Sequence, residues 1–355
     1  MSSSPIRPLQ EYENVETTRV LKALVRAHKA LGELKGLALS MPNQNILLST
    51  LSLQEAKESS AIENIITTQD DLYQSNYLTQ EFTSSEAKEV HSYAKALKVG
   101  FELVTTTGLL TNSSIIKIQQ TIENNNAGFR KQAGTTLINN KTKDIIYTPP
   151  QSEKVVLTLM GELEQFINTD DLSDYDVLTK MAMIHHQFES IHPFYDGNGR
   201  TGRIINILYL TKQNILGTPI LYLSRFINQN KDEYYKLLQS VRESENWEPW
   251  LLYMLKALEV TALDTSKMIQ DLILLMQEYK QTIKVKLPKI YSHELINNLF
   301  SHPYTKNEFL VEELGIHRNT ARRYLDSLVV IGLLKKEKIG NQNFYINKKL
   351  FILLS

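Results

Sequence analysis

Residues 192–203 read HPFYDGNGRTGR, and the rest of the chain is best understood from that run outward. It holds one histidine, one carboxylate, three glycines, an asparagine and two arginines in twelve positions. Glycines let the backbone approach phosphate oxygens and bare its N–H groups. The apolar Ile204, Ile205 and Leu208 that follow put the glycines at the start of a helix, whose positive end favours anions. Arg200 and Arg203 lie three apart, so a helix sets them on one face, where they can grip one polyphosphate together. Asp196 is a hard oxygen donor of the kind that holds a phosphate-bound Mg²⁺. His192, just upstream, can take a proton from an attacking hydroxyl.

Composition sets wider bounds. A chain of 355 residues has room for two or three domains with substantial cores. Lysine plus arginine equals aspartate plus glutamate at 39 each, so no global field recruits nucleic acid or membrane. The absence of cysteine excludes disulfides and thiolate zinc sites and fits a reducing compartment. The opening MSSSPIRPLQEYENVETTRV lacks the charged-then-apolar pattern of a secretory signal, and no apolar run nears the roughly 18 residues of a membrane span. A soluble cytoplasmic protein without a membrane partner is expected. The neutral total hides an asymmetry, because from Lys284 to Ser355 twelve Lys and Arg stand against six Asp and Glu.

The run fits H-x-F-x-[DE]-G-N-G-R-x-x-R at every specified position, through His192, Phe194, Asp196, Gly197, Asn198, Gly199, Arg200 and Arg203. On these residues the chain resembles the Fic domain family. The resemblance implies a mainly α fold, with a Fic helical core and a β-hairpin flap. It also implies protein adenylyl transfer: a Ser, Thr or Tyr hydroxyl of a target protein, or of the chain itself, attacks the α-phosphate of ATP, AMP is attached and pyrophosphate leaves. His192 would be the general base and Asp196 the Mg²⁺ ligand. Nucleotide contacts are expected along the rest of the run, from Asp196, Gly197, Asn198, Gly199, Arg200, Thr201, Gly202 and Arg203. Phe194 reads as an anchor that pins the loop to the core. Fic relatives vary the ligand on one loop, so transfer of UMP, phosphate or phosphocholine, or removal of AMP, stays open.

Residues 17–40 carry apolar positions at helical spacing and stop before Pro42. The next helical stretch, LSLQEAKESSAIENII, contains Ser59 to Asn64 in the pattern [ST]-x-x-x-E-[GN] and resembles the inhibitory helix of Fic proteins. Ser59 and Glu63 are four apart, stacked on one helix face, where the hydroxyl can orient the carboxylate. Set against Arg203, that carboxylate would form a charge-assisted pair, bidentate at best, and take the place of a γ-phosphate. Further helices are expected over residues 84–104 and from 111. Then β-favouring runs flank residues 139–144, NNKTKD, and close at Pro149 and Pro150, which reads as a hairpin. It resembles the Fic flap, whose backbone pairs with the target segment, and Ile145, Ile146 and Tyr147 are the expected pairing edge. A hairpin that only covers the core is the alternative.

From Asp174, apolar residues at three- and four-residue steps predict a buried helix running into His192, with His185 as a core histidine satisfied at one ring nitrogen. His186 and His192, six apart, lack the spacing of a helical metal pair. Beyond Arg203 the helix should end near Asn214, and residues 223–258 should form two helices. Tyr234 and Tyr235 lie near the start of the first, where an aromatic residue lines the nucleobase pocket in the family; Trp247 and Trp250 read as core anchors. The expected domains are a helical region with the inhibitory helix (1–110), a catalytic core (111–262), a linker helix (263–286) and a winged helix domain (287–355). In that last segment a helix, a turn at Gly315 and a second helix place Ala321, Leu325, Leu328 and Val329 inward and Arg318, Asn319, Arg322 and Arg323 outward, before a wing turning at Gly340 and Asn341. The segment resembles a winged helix-turn-helix domain, which contacts DNA or docks protein. It and the inhibitory segment both offer surfaces for a homodimer. A nucleotide-sensing DNA-binding regulator is the reading from another functional class.

Overall fold

A computed structural model describes residues 6–75, 82–138, 144–339 and 341–355. Helix α1 (Thr18–Leu39) begins where the Thr17 side chain accepts the Val20 amide, and α2 (Gln44–Ile62) begins after Pro42 under an Asn43 cap. α3 (Gln69–Gln74) is short, α4 (Ser85–Thr107) is capped by Ser84 and closed by left-handed Gly108, and α5 (Asn112–Glu123) is capped by Thr111. The expected hairpin is present as β1 (Leu137–Ile138) and β2 (Ile145–Tyr147), paired antiparallel with Leu137 opposite Tyr147. Of the expected turn 139–144, only Asp144 falls within the described residues. α6 (Glu153–Asn168), α7 (Val177–Ile191) and α8 (Asn198–Lys212) complete the part that carries the 192–203 run.

Two expectations for the next stretch are corrected. Residues 223–258 form three helical pieces rather than two: α9 (Leu223–Gln229), α10 (Lys231–Ser244) and the start of α11 (Glu248–Lys286), with Asn230 leaving helical geometry between the first pair. Nor is there a separate linker helix at 263–286, because α11 runs unbroken through 262 and 263. Pro249 starts it, the next proline is Pro288, and Thr261, Thr265, Ile269, Leu272, Met276, Tyr279 and Ile283 keep one face buried throughout.

The C-terminal segment comprises α12 (His293–Ser301), β3 (Tyr304–Thr305), α13 (Asn307–Leu314), α14 (Arg318–Val330), β4 (Lys335–Ile339), β5 (Gln342–Ile346) and α15 (Lys348–Leu353). Gly315 turns α13 into α14 at φ +64, and the strands lie in the order β3-β5-β4. Gly340 of the expected wing turn lies outside the described residues. Ala321, Leu325 and Leu328 are buried and Val329 is half-buried, while Arg318, Asn319, Arg322 and Arg323 are exposed.

The packing is centred on α7. All of its residues from Leu178 on are buried, as befits a helix covered on several sides, here by α6, α8 and α11. Its two histidines each find a partner inside. His185 Nε2 meets the Tyr234 hydroxyl at 2.7 Å and stacks on Trp250, and His186 Nε2 meets the Leu238 carbonyl at 3.1 Å. α2 is wedged among α4, α9 and α12, so it touches both the part that carries the 192–203 run and the C-terminal segment. Tyr73 beside α2 stacks on Tyr304, whose hydroxyl donates to Asp70. Toward the C-terminal end of α11, the Tyr279 hydroxyl lies 2.7 Å from Asn347 Oδ1 and 2.9 Å from the Leu333 carbonyl, with its one proton shared between these acceptors. Among the described residues no helix is long and apolar enough to cross a membrane.

Candidate active site

His192 ends α7 in the left-handed region (φ +49, ψ 59), its amide still bonded to the Phe188 carbonyl at 2.9 Å. A histidine pays strain for that conformation, so the surroundings must hold it there. Its ring is half-buried, with Nδ1 unpartnered among the described residues. Burial, then the cations of Arg242 and Arg130, push the imidazole down to about 4 against the pull of Glu63 and Asp196, so it is neutral at neutral pH.

After His192 the chain folds back on itself. Phe194 is fully buried between Phe129 and Phe188, with ring centroids at 5.1 and 6.3 Å, as the anchor reading expects. Asn198 closes the loop, accepting the Phe194 amide at 2.8 Å and donating to the Phe194 carbonyl at 2.9 Å. Its side chain is thus engaged in closing the loop, which leaves the Asn198 backbone amide as the group available to an anion. Phe194→Ala should cost about 3–5 kcal/mol of stability, read as a lower chemical-unfolding midpoint; an unchanged midpoint would remove the anchor role.

Gly197 (φ +77) caps α8, and the first bond of the helix runs from the Thr201 amide to the Gly197 carbonyl. The amides of Asn198, Gly199 and Arg200 precede it and are the natural seat for an anion. Asp196 is exposed, with Oδ1 accepting the Gly197 amide at 2.7 Å. Among the described residues no group of three or more His, Asp or Glu could hold a metal by itself. Asp196 therefore suits a cation whose other ligands are phosphate and water, the usual habit of Mg²⁺.

The end of α2 reaches this turn. Asn64 is left-handed (φ +65), its amide bonds the Ala61 carbonyl, and the Ile65 amide bonds the Ser60 carbonyl, a Schellman motif. The [GN] position of the pattern is thereby explained: it lets the chain stop so that Glu63, the last residue before the turn, faces α8. Arg203 is fully buried and donates from Nε to Ser59 Oγ at 2.7 Å, and from Nη2 to the Ser59 carbonyl and Glu63 Oε1, both at 2.9 Å. Ser59 and Glu63 thus converge on the guanidinium instead of the hydroxyl orienting the carboxylate, and the ion pair is a single contact rather than a bidentate one. A Cβ on Gly199 would collide with Glu63 Oε1 and come within 3.0 Å of Arg203 Nη1, so the carboxylate rests on the backbone of the anion-binding turn itself.

Arg200 does not share that arrangement. Its guanidinium is held by Glu89 of α4 at 3.0 Å and Glu123 of α5 at 2.7 Å, so the expected joint grip of two arginines is not made. Three residues on a helix still leave the side chains fanned, one toward α4 and α5 and the other toward α2. Thr201 and Gly202 are also corrected. Thr201 is fully buried with its amide bonded to the Gly197 carbonyl at 2.9 Å, so its side chain is closed off from a nucleotide, and a Cβ on Gly202 would sit 2.6 Å from Glu189 Oε1 and 3.1 Å from Phe188, so Gly202 serves the close approach of α7 and α8.

With this geometry in view, the comparisons with known proteins fall into place. The Fic/DOC family N-terminal model matches residues 21–102, and the Fic/DOC family model matches residues 109–210. The chain belongs to the Fic/DOC family. Residues 275–350 match the C-terminal domain of SoFic-like protein adenylyltransferases. A Fido domain-containing protein of Dictyostelium discoideum is 40% identical over 95 residues, covering 27% of this chain and 60% of that protein. Protein adenylyltransferase Fic of Drosophila erecta is 27% identical over 135 residues, 37% of this chain and 26% of the relative. The chain thus spans only part of the length of the relatives it matches. A solved Fic family protein from Desulfovibrio desulfuricans superposes with a TM-score of 0.59 at 18% identity, over 96% of this chain and 98% of that one. Fic-1 from C. elegans gives 0.53 at 19%, over 70% and 73%. Both share the fold.

Other expectations drawn from the Fic resemblance divide. Tyr234 is only 1% exposed, bonded to His185 and packed on Trp250, so it belongs to the core and cannot stack on a base. Tyr235, 43% exposed and edge-on to Tyr234, keeps the nucleobase role open. Ile145 and Ile146 on the hairpin are exposed, but Tyr147 is buried, donating to the Ser190 carbonyl at 3.1 Å beneath Arg242, whose guanidinium lies 4.1 Å from the ring centroid. Tyr147 is the foot of the hairpin rather than part of its docking edge. Trp247 and Trp250 are buried as expected. Arg130, Arg242, Glu89 and Glu123 were not expected. None sits in a motif, and single charged residues in a loop or on a mixed helix give no periodic signal.

Proposed function

We propose that this Fic/DOC chain is a protein adenylyltransferase that moves AMP from ATP to a Ser, Thr or Tyr hydroxyl of a target protein or of itself, and that Glu63 holds it inactive. The observation that carries the reading is the placement of the Glu63 carboxylate on Arg203 and over Gly199, the surface a terminal phosphate needs. Relatives named protein adenylyltransferase Fic support the reaction class.

The steps follow from the residues. The amides of Asn198, Gly199 and Arg200 take phosphate oxygens, and Arg203, once Glu63 withdraws, offsets charge at the far phosphate. Asp196 would hold Mg²⁺, which supplies further neutralisation of the phosphates. The exposed backbone about Ile145 and Ile146 would align the target segment by strand addition. Neutral His192 takes the hydroxyl proton as the new O–P bond forms at the α-phosphate and the bond to the β-phosphate oxygen breaks, releasing pyrophosphate. Tyr235 would contact the adenine.

Incubation with α-labelled ATP, GTP, CTP and UTP, followed by mass mapping of the modified residue, tests the assignment. Label from ATP, carried on a hydroxyl side chain as AMP, is expected; preferential label from another nucleotide would replace adenylyl transfer by a sister reaction. A second reading, a nucleotide-sensing DNA-binding regulator, draws on the winged-helix layout of residues 287–355 and the exposed Arg318, Asn319, Arg322 and Arg323 of α14. It stands second because Arg318 is paired with Glu308 at 3.0 Å and Arg322 with Asp326 at 3.5 Å, which lessens the charge left for phosphate.

A further inference from the structure

Arg130 lies in the irregular stretch between α5 and β1, only 1% exposed, and has no carboxylate partner among the described residues. Burying an unpaired guanidinium is costly, so its placement calls for compensation. Its partners are all carbonyls. Nε donates to His192 O at 2.8 Å, and Nη2 donates to Ile191 O at 3.3 Å and to Pro150 O. The Arg130 amide adds a bond to Pro193 O at 2.8 Å. The carbonyls of Ile191 and His192 form the negative end of α7, where a cation is favoured. Pro150 lies three residues beyond β2, at the root of the hairpin. One residue therefore ties the hairpin to three successive residues around His192, at the point where the backbone is left-handed.

We infer that Arg130 is a positioning residue for the transfer reaction, fixing the His192 backbone relative to the β1–β2 hairpin so that a hydroxyl presented there meets the imidazole in one geometry. The inference rests on the adenylyltransferase reading. The guanidinium of Arg130 is engaged with backbone carbonyls. It acts through the base, and a loss of register of the order of 1 Å costs about 10²-fold in rate. Its charge has a second effect that packing alone would lack. The groups facing His192 are Arg130 from the loop, Arg242 from α10, Glu63 from the end of α2 and Asp196 from the turn. Burial, then Arg242 and Arg130, favour the neutral imidazole, so removing either cation moves the acid limb of activity to higher pH.

The test uses full-length Glu63→Gly protein as parent, with self-labelling by ATP as the readout. Arg130→Gln in that parent should lower kcat about 10²-fold with KM for ATP within about twofold, and should move the acid limb upward. Arg130→Lys keeps the charge but not the fork, so kcat should recover to within about tenfold of the parent and the acid limb should return. Thermal unfolding of each variant guards against simple loss of fold, and if the Gln variant does not fold the Lys variant decides by its split of kcat from KM: kcat lowered at unchanged KM for ATP supports the inference, and a parental kcat or a raised KM overturns it. A folded Gln variant with kcat within about threefold of the parent overturns the inference, as does a rise in KM at constant kcat. Equal loss in both variants with no movement of the acid limb reduces Arg130 to packing and also overturns it. A parent that labels nothing fails the adenylyltransferase reading and takes this inference with it, whereas an active parent with an indifferent Arg130→Gln sinks only the positioning role.

Discussion

Glu63→Gly should raise self-modification with ATP by about 10- to 100-fold, since freeing Arg203 removes a charge-assisted bond worth about 1.5–3 kcal/mol that phosphate must otherwise displace. The direction follows from the contact. One carboxylate oxygen lies 2.9 Å from Arg203 Nη2 and against Gly199, so a terminal phosphate entering the same place would meet a like charge and lose its guanidinium. Arg203 is not left adrift by the substitution, because both of its bonds to Ser59 remain. Burial pushes the Glu63 carboxyl up, but the attraction of Arg203, followed by Arg200, outweighs it and holds the group below its ordinary value of 4.5. Its contribution to the folded state is therefore complete above that ordinary value and is lost only as pH falls through the lowered one. Mild acid should not open the gate. Labelling by Glu63→Gly equal to or weaker than that of the unchanged chain would end the account of autoinhibition.

His192→Ala should cut transfer by about 10² to 10⁴, the usual worth of a positioned base, while ATP affinity measured by calorimetry stays close to that of the parent. The amides that seat the phosphates belong to Asn198, Gly199 and Arg200 and do not depend on the imidazole. With its acidity set near 4 by burial and the two arginines, His192 needs no deprotonation before it acts, although it is a weak base in this closed state. An anionic triphosphate nearby pulls the value back up and strengthens it. The expected profile is a rate that falls on the acid side as the imidazole becomes protonated. Vigorous labelling by the Ala variant would take histidine out of the chemistry.

The conformation of the 192–203 turn was legible because its residue types are few, closely spaced and each tied to one physical use. Gly197 requires a positive φ, Phe194 fills the core and Asp196 remains outside. The spacing of Ser59 and Glu63 pointed to their shared contact with Arg203, but not to its manner, which depends on the Schellman turn at Asn64 and on α8 approaching from elsewhere in the chain. Periodicity also misassigned side chains. A helix wheel cannot say which neighbour each face meets, so Arg200 was paired with Arg203 when α4 and α5 supply it with Glu89 and Glu123. Tyr234 and Tyr235 look alike as letters, yet one helical step puts the first against His185 and the second toward solvent. Arg130 lay beyond reach for a different reason: its partners are backbone carbonyls, which every residue possesses.

Helix α11 carries one more implication. Its 39 residues make a rod of about 58 Å. α1 is laid along it, and Tyr279 is fastened to Leu333 and Asn347 beyond its end. A rod is not a tether. Were a macromolecule to dock on residues 287–355, as proposed, this rod would hold it at a set distance and bearing from the His192 turn rather than let it wander within a radius, and span would then weigh in the choice of target as much as surface.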